Sequence, residues 1–197
     1  MTPNLDAAMT LVEANPDVAA HGREVARIAT RIGNALGFDE EARATLGLAA
    51  GLHDVGKLPI PCETLDKPGP LNADEWAQVR LHPVLGGQMV IGAGLGHVAP
   101  WVRCHHERPD GRGYPDGLEG AAIPLQSRII AVADAYDAMV SDRPYSSAIS
   151  DAAAREELLR AAGTQFDRRI VAAFLGLRFN SRGQRQAAPA RSLRAVA

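Results

Sequence analysis

Apolar positions along this chain recur with a helical period, and almost nowhere with the alternation of a half-buried strand. Val18, Val25, Ile28, Ile32 and Leu36 predict a helix from about Asp17 to Leu36, with Gly37 as its stop. A shorter helix is expected over 3–14, where Thr2 can cap and Pro3 suits a first turn. The run Leu46-Gly47-Leu48-Ala49-Ala50-Gly51-Leu52 predicts a buried helix from about Asp39 to Val55. It delivers His53-Asp54-Val55-Gly56-Lys57 at its inner end, where such side chains are costly unless paired or bound to metal. Residues 58–70, with Pro59, Pro61, Pro68 and Pro70, read as a loop.

Asn72 and Glu75 have capping-box spacing, with Leu71 and Trp76 placed as a hydrophobic staple. The helix they open is expected to pass through Val79, Leu85 and Met89, kinked by Pro83 after His82. A further helix from about His97 would carry His105 and His106 near its end. Residues 107–124 form the longest loop, rich in Gly, Pro and Asp, and long ordered loops often carry function. Pro124 opens a helix through Ile129, Ile130, Val132 and Tyr136, with Asp134 amid its small and apolar residues. Ser150 or Asp151 caps a helix to about Ala162, and Asp167 caps another to about Leu177. About seven or eight helices and no strand make the expected fold all-α, one domain over 1–179 followed by a basic tail, 180–197.

Composition narrows the function classes. Aromatics are only 5% of the chain, so a core must be built from Leu, Ile, Val and Ala, as packed helices allow. The net charge is −2, and without the four tail arginines the rest carries about −6, which argues against nucleic acid as a partner. Two cysteines give no disulfide framework, the N-terminus lacks a signal-peptide pattern, and no apolar run approaches the ~20 residues of a membrane span. The expectation is a cytoplasmic protein without membrane contact.

The six histidines carry the candidate chemistry. His21, His53, His82, His105 and His106 fall where helices begin, bend or end, and Asp54 and Asp134 accompany them. No Cys-x-x-Cys is present, and seven such ligands exceed the three or four of one zinc site. They suit two or three bridged ions, with Asp54 able to span a pair through its two oxygens. Imidazole and carboxylate ligands favour iron or manganese over thiolate-selecting metals. Paired metals roughly 3.5–4 Å apart can activate water and stabilise a phosphoryl transition state, with Lys57 adding positive charge at a phosphate oxygen.

The chain resembles the HD-GYP subgroup of the HD-domain metal-dependent phosphohydrolases. The matching segments are His53-Asp54-x-Gly56-Lys57, Lys67-Pro68-Gly69-x-Leu71, Glu75, His82-Pro83-x-x-Gly86 and His105-His106-Glu107-Arg108. They continue with Asp110-Gly111-x-Gly113-Tyr114-Pro115-Asp116-Gly117-Leu118, Ile123-Pro124, Ala131-Val132-Ala133-Asp134 and Asp142-Arg143-Pro144-Tyr145. The resemblance implies an all-helical phosphodiesterase that hydrolyses cyclic di-GMP to pGpG, and by a second cleavage to GMP, through a metal-bridging hydroxide. It implies His21, His53, Asp54, His82, His105, His106 and Asp134 as metal ligands, with Asp54 bridging. Lys57, Tyr114 and Arg143 match substrate-contact positions, and the Gly113-Tyr114-Pro115 loop matches a docking point for diguanylate cyclase domains.

Two positions depart from the family pattern. Members with a third metal carry a glutamate one turn before the first histidine, and here that residue is Asp17. Ser146 follows Pro144-Tyr145 where a basic residue is usual, a loss worth roughly 1.5–3 kcal/mol of binding. The alternatives are therefore a catalytically weak or inactive cyclic di-GMP-binding or cyclase-docking module, and an HD phosphohydrolase for another cyclic dinucleotide or nucleotide. The 16 residues before Asp17 are too few for a sensory domain, which assigns any input to a partner, ligand level or metal redox state unless the chain is a fragment. His97, Cys62 and Cys104 read as structural or surface residues, Trp101 as packing, and Glu107 and Arg108 as contacts that orient the ligands.

Overall fold

The computed structural model describes residues 16–142 and 147–177, with side chains from residue 19 onward. The helix expected over 3–14, the side chain of Asp17, Arg143, Ser146 and the arginine tail lie outside the described residues. Nine α-helices make up the described fold: α1 (Pro16–Ala35), α2 (Glu40–Leu52), α3 (Cys62–Leu65), α4 (Ala73–Val79), α5 (His82–Gly92), α6 (Ala99–Arg103), α7 (Leu125–Val140), α8 (Asp151–Arg160) and α9 (Arg168–Leu175). Only isolated bridges, Asp110 with Glu119 and Ala162 with Phe166, represent β structure among the described residues. The fold is all-α, as the helical periodicity requires.

Helices α1, α2 and α7 form the centre. Val25, Ile28, Ala29 and Ile32 of α1 recur on one face and are buried against Leu46, Ala49 and Ala50 of α2 and Ile129, Ile130, Val132 and Ala133 of α7. The α1–α2 approach depends on Gly22: a Cβ there would stand 2.5 Å from the Gly51 carbonyl oxygen. That closeness brings the second turn of α1, which carries His21, level with the end of α2. A second, smaller cluster of Ile60, Leu65, Leu71 and Val79 lies beneath Tyr114.

Several elements differ from the expected ones, each at a place that matters for the site. Helix α2 stops at Leu52, and Val55–Lys57 form a 3₁₀ turn instead of a continuation. The capping box at Asn72 and Glu75 is present, but the helix it opens ends at Val79. Pro83 does not kink that helix. It sits in the first turn of a new one, where its missing N–H costs nothing. Helix α6 spans only Ala99–Arg103, so His105 and His106 lie in the turn after it. The expected loop 58–70 contains the short α3. Asp39, Ser150 and Asp167 cap α2, α8 and α9 through side-chain acceptance of backbone N–H groups. Among the described residues, no helix is long and apolar enough to cross a membrane.

Candidate metal centre

The fold brings seven candidate ligands to one place. His21 comes from α1, His53 and Asp54 from the end of α2, His82 from the first residue of α5, His105 and His106 from the turn after α6, and Asp134 from the middle of α7. Asp54, His82, His105 and His106 each offer one atom within 4.8 Å of the others, and His21, His53 and Asp54 form a second such group. Asp54 belongs to both. Asp134 closes the second group, its Oδ1 lying 3.0 Å from His21 Nε2 and 3.8 Å from His53 Nε2. The two groups meet because the 3₁₀ turn lies directly on α5: a Cβ on Gly56 would be 2.0 Å from the His82 carbonyl oxygen and 2.4 Å from the Gly86 nitrogen. Only glycine permits that approach.

Three imidazoles are oriented by the backbone. Nδ1 of His53, His82 and His105 donates to the carbonyl three residues earlier, Ala50, Val79 and Val102, at 2.7, 2.7 and 2.6 Å. Each ring is thereby set as the tautomer with its Nε2 lone pair facing the cluster. Burial holds His53, His82 and His106 below the usual histidine range and lowers His105 to about 4, so all four rings are neutral and able to ligate near pH 7. His21 behaves differently. Burial opposes its charge, but hydrogen bonds with Asp134 and Asp137 prevail and raise it to about 9. Burial likewise works against Asp54 and Asp134, yet the Lys57 ammonium holds Asp54, and the His21 bond holds Asp134, well below the usual carboxylate range.

Two carboxylates and five imidazoles turned inward are a poor arrangement without cations. His53 Nε2, His106 Nε2 and Asp54 Oδ1 are buried without a hydrogen-bond partner, and buried polar atoms are rarely left so. Lone pairs converging from nitrogen and carboxylate donors fit divalent metal ions. The residues present therefore suit the cluster expected from their spacing. His97 is exposed and apart from it, Cys62 is exposed, and Cys104 is buried beside it with burial raising its thiol to about 11, unsuited to a thiolate ligand.

Around the candidate ligands stand Lys57, Tyr114, Glu107 and Arg108. Lys57 is only 2% exposed, and its Nζ lies 2.6 Å from Asp54 Oδ2. It thus sits against the shared carboxylate and is not part of the cavity wall. Tyr114 stacks on His106, ring centroids 4.8 Å apart, and its buried Oη has no hydrogen-bond partner. Glu107 touches the loop instead of the ligands, its carboxylate accepting backbone N–H groups of Asp116, Gly117 and Leu118 at 2.6, 3.1 and 3.0 Å. Arg108 pairs with Asp110.

Three residues escape a reading of the sequence. Asp137 Oδ2 accepts from His21 Nδ1 at 2.7 Å, the carboxylate–histidine arrangement that orients metal ligands. Its position three residues after Asp134 on one helix face was the available signal. Trp76, expected to staple Leu71, is 38% exposed and lines a cavity of about 330 Å³ with Arg80, Tyr114, His105, His106 and Asp134. Arg80 lies over the Tyr114 ring, 4.5 Å from its centroid. The cavity thus opens from the ligand cluster toward an aromatic and basic wall.

The chain has relatives among known proteins. The family model for the HD domain matches residues 7–170. The chain belongs to the HD domain family. The HD chain is 43% identical over 154 residues to the cyclic di-GMP phosphodiesterase response regulator RpfG of Xanthomonas campestris, covering 77% of this chain and 41% of that protein. It is 43% identical over 133 residues to 3′3′-cGAMP-specific phosphodiesterase 1 of Vibrio cholerae, covering 66% and 30%. This HD domain therefore spans well under half the length of these relatives. Among solved structures, an HDG"Y"P protein of Bdellovibrio bacteriovorus superposes with a TM-score of 0.66 at 21% identity, over 80% of this chain and 51% of that one, a likeness of fold.

Proposed function

We propose that this HD domain is a metal-dependent phosphodiesterase for cyclic dinucleotides, with cyclic di-GMP as substrate and pGpG as first product. The observation that carries it is the pair of ligand groups sharing Asp54, open to a cavity walled by Tyr114 and Arg80. In this reading His21, His53, Asp54, His82, His105, His106 and Asp134 hold two divalent ions, iron or manganese by the donor set. Bound there, such ions supply Lewis acidity toward a phosphoryl oxygen and a nucleophile from water at neutral pH.

The chain's own residues prepare that chemistry. Lys57 keeps Asp54 ionised and fixed between the two groups. Asp137 sets the tautomer and direction of the His21 ring. Tyr114 keeps its proton, because burial pushes its phenol above the usual range. Its Oη is therefore a donor with no internal partner, placed to bond a phosphate oxygen at the cluster. The resemblance to relatives named for cyclic di-GMP and for 3′3′-cGAMP supports a cyclic dinucleotide over a nucleotide monoester.

A chromatographic assay tests the reading. Protein purified anaerobically and loaded with iron or manganese is expected to convert cyclic di-GMP to pGpG, and chelation to stop it. Intact cyclic di-GMP with both metals would overturn it. The 43% identity to a 3′3′-cGAMP-specific enzyme favours one second reading, a preference for cGAMP, which the same assay decides by relative kcat/KM.

A further inference from the structure

Three arginines line the cavity at the cluster: Arg80, Arg108 and Arg112. Arg108 is spent on Asp110, with two hydrogen bonds of 3.0 and 2.7 Å. The carboxylates in the same wall are also engaged, Glu107 by three backbone N–H groups and Asp134 by His21. Arg80 and Arg112 make no ion pair among the described residues; the carboxylate near Arg112, Asp110, is already paired with Arg108, so both guanidinium groups line the cavity with donors to spare.

Both are exposed residues whose backbones are held by elements of the site. Arg80 caps α4 immediately after Val79, whose carbonyl orients the His82 ring. Its guanidinium lies on the Tyr114 ring, and stacking of this kind fixes the plane of the fork while leaving its edge N–H groups available. Arg112 stands on the Gly113-Tyr114 loop, its backbone N–H held by Asp110 Oδ1 at 3.1 Å. A cyclic dinucleotide has two phosphodiesters, and only one can occupy the ligand cluster while it is cut. The other needs positive charge nearby, in bidentate form where possible.

We propose that Arg80, with Arg112 from the facing loop, holds the phosphodiester that is not being cleaved, so that this wall selects ligands with two phosphates. The proposal rests on the cyclic-dinucleotide reading above. The test compares Arg80→Met, Arg112→Met, the double variant and Arg80→Lys with the parent protein. Two substrates are used, cyclic di-GMP and bis(p-nitrophenyl) phosphate, which has a single phosphodiester.

Each Met variant is expected to raise KM for cyclic di-GMP about tenfold, with kcat within about threefold of the parent, as for one lost charge-assisted bond. Arg80→Lys should recover part of that loss. The KM for the single diester should rise much less. An unchanged KM for cyclic di-GMP, or equal rises for both diesters, would overturn the proposal. Calorimetric titration of cyclic di-GMP into metal-free protein reads the same contact without turnover. If the parent cleaves neither diester, the phosphodiesterase reading fails, and the titration still decides: binding weakened about tenfold in the Met variants supports the contact, and unchanged or absent binding in all proteins overturns it.

Discussion

Lys57 Nζ and Asp54 Oδ2 are 2.6 Å apart in a site where neither side chain is more than 5% exposed. The ammonium is thus a resident cation beside the carboxylate shared by both ligand groups. The 3₁₀ turn creates the pairing, by folding Lys57 back over the residue three positions earlier.

Removing that cation should matter most when no metal is present. Lys57→Met leaves buried Asp54 with only the more distant His21 imidazolium, 3.8 Å away, to offset it in the metal-free protein, a loss of about 3 kcal/mol by analogy with other broken buried pairs. Metal ions at Asp54 restore the missing positive charge, so the loss should shrink by at least half in the loaded form. Urea denaturation of both forms measures it. Equal losses would mean that Lys57 and the metals do not share the neutralisation of Asp54.

Asp137 should be felt through His21. Asp137→Ala removes the acceptor that orients the ring, and metal affinity is expected to fall about 10- to 100-fold while the fold persists. Competition with a chelator gives the affinity and circular dichroism the fold. Asp137→Asn, which keeps an acceptor oxygen, should lose less.

Gly56 admits no side chain. A methyl group there would meet the His82 carbonyl and the Gly86 nitrogen, both backbone atoms. Gly56→Ala is expected to cost upwards of about 3 kcal/mol, at the top of the overpacking range, and to move His82 out of the cluster. A lowered Tm together with a reduced metal-to-protein ratio would be the signature. A variant with full metal content would show that the α5 start can retreat without losing its ligand.

Glu107 should govern the loop that presents Tyr114. Glu107→Gln weakens three bonds to one carboxylate, each worth about 1.5–3 kcal/mol when made to a charged group. Hydrogen exchange at the amides of 116–118 is expected to speed up at least about tenfold, with a higher KM for cyclic di-GMP. Unaltered exchange would place the loop's order elsewhere.

The convergence of the seven candidate ligands was legible because imidazoles and carboxylates at the ends and centres of apolar helices have few other reasons to be there. Asp54 was readable as a candidate bridge from its two carboxylate oxygens beside His53, and from the family resemblance. The breaks around it were less accessible. Pro83 looked like a kink because periodicity passes through it, whereas two residues of turn let it begin a new helix with His82 at the head. Asp137 was hidden by its own neighbour, since one carboxylate on that face already had a use. Trp76 and Arg80 sit on an exposed helix face, and only the long-range placement of Tyr114 turns that face into a cavity wall.

The arrangement of ligands also has a consequence for the chain as a polymer. His21 and Asp137 are 116 residues apart, and His21 meets Asp134 at the same point. An ion held by both ends closes a loop around most of the domain, a tie whose cost in chain entropy rises only slowly with loop length. Fraying of α1 then cannot proceed independently of α7, because either movement opens the same coordination sphere. A metal ion bound there would act as a removable cross-link, and its loss would turn one cooperative unit into helices that can loosen one at a time.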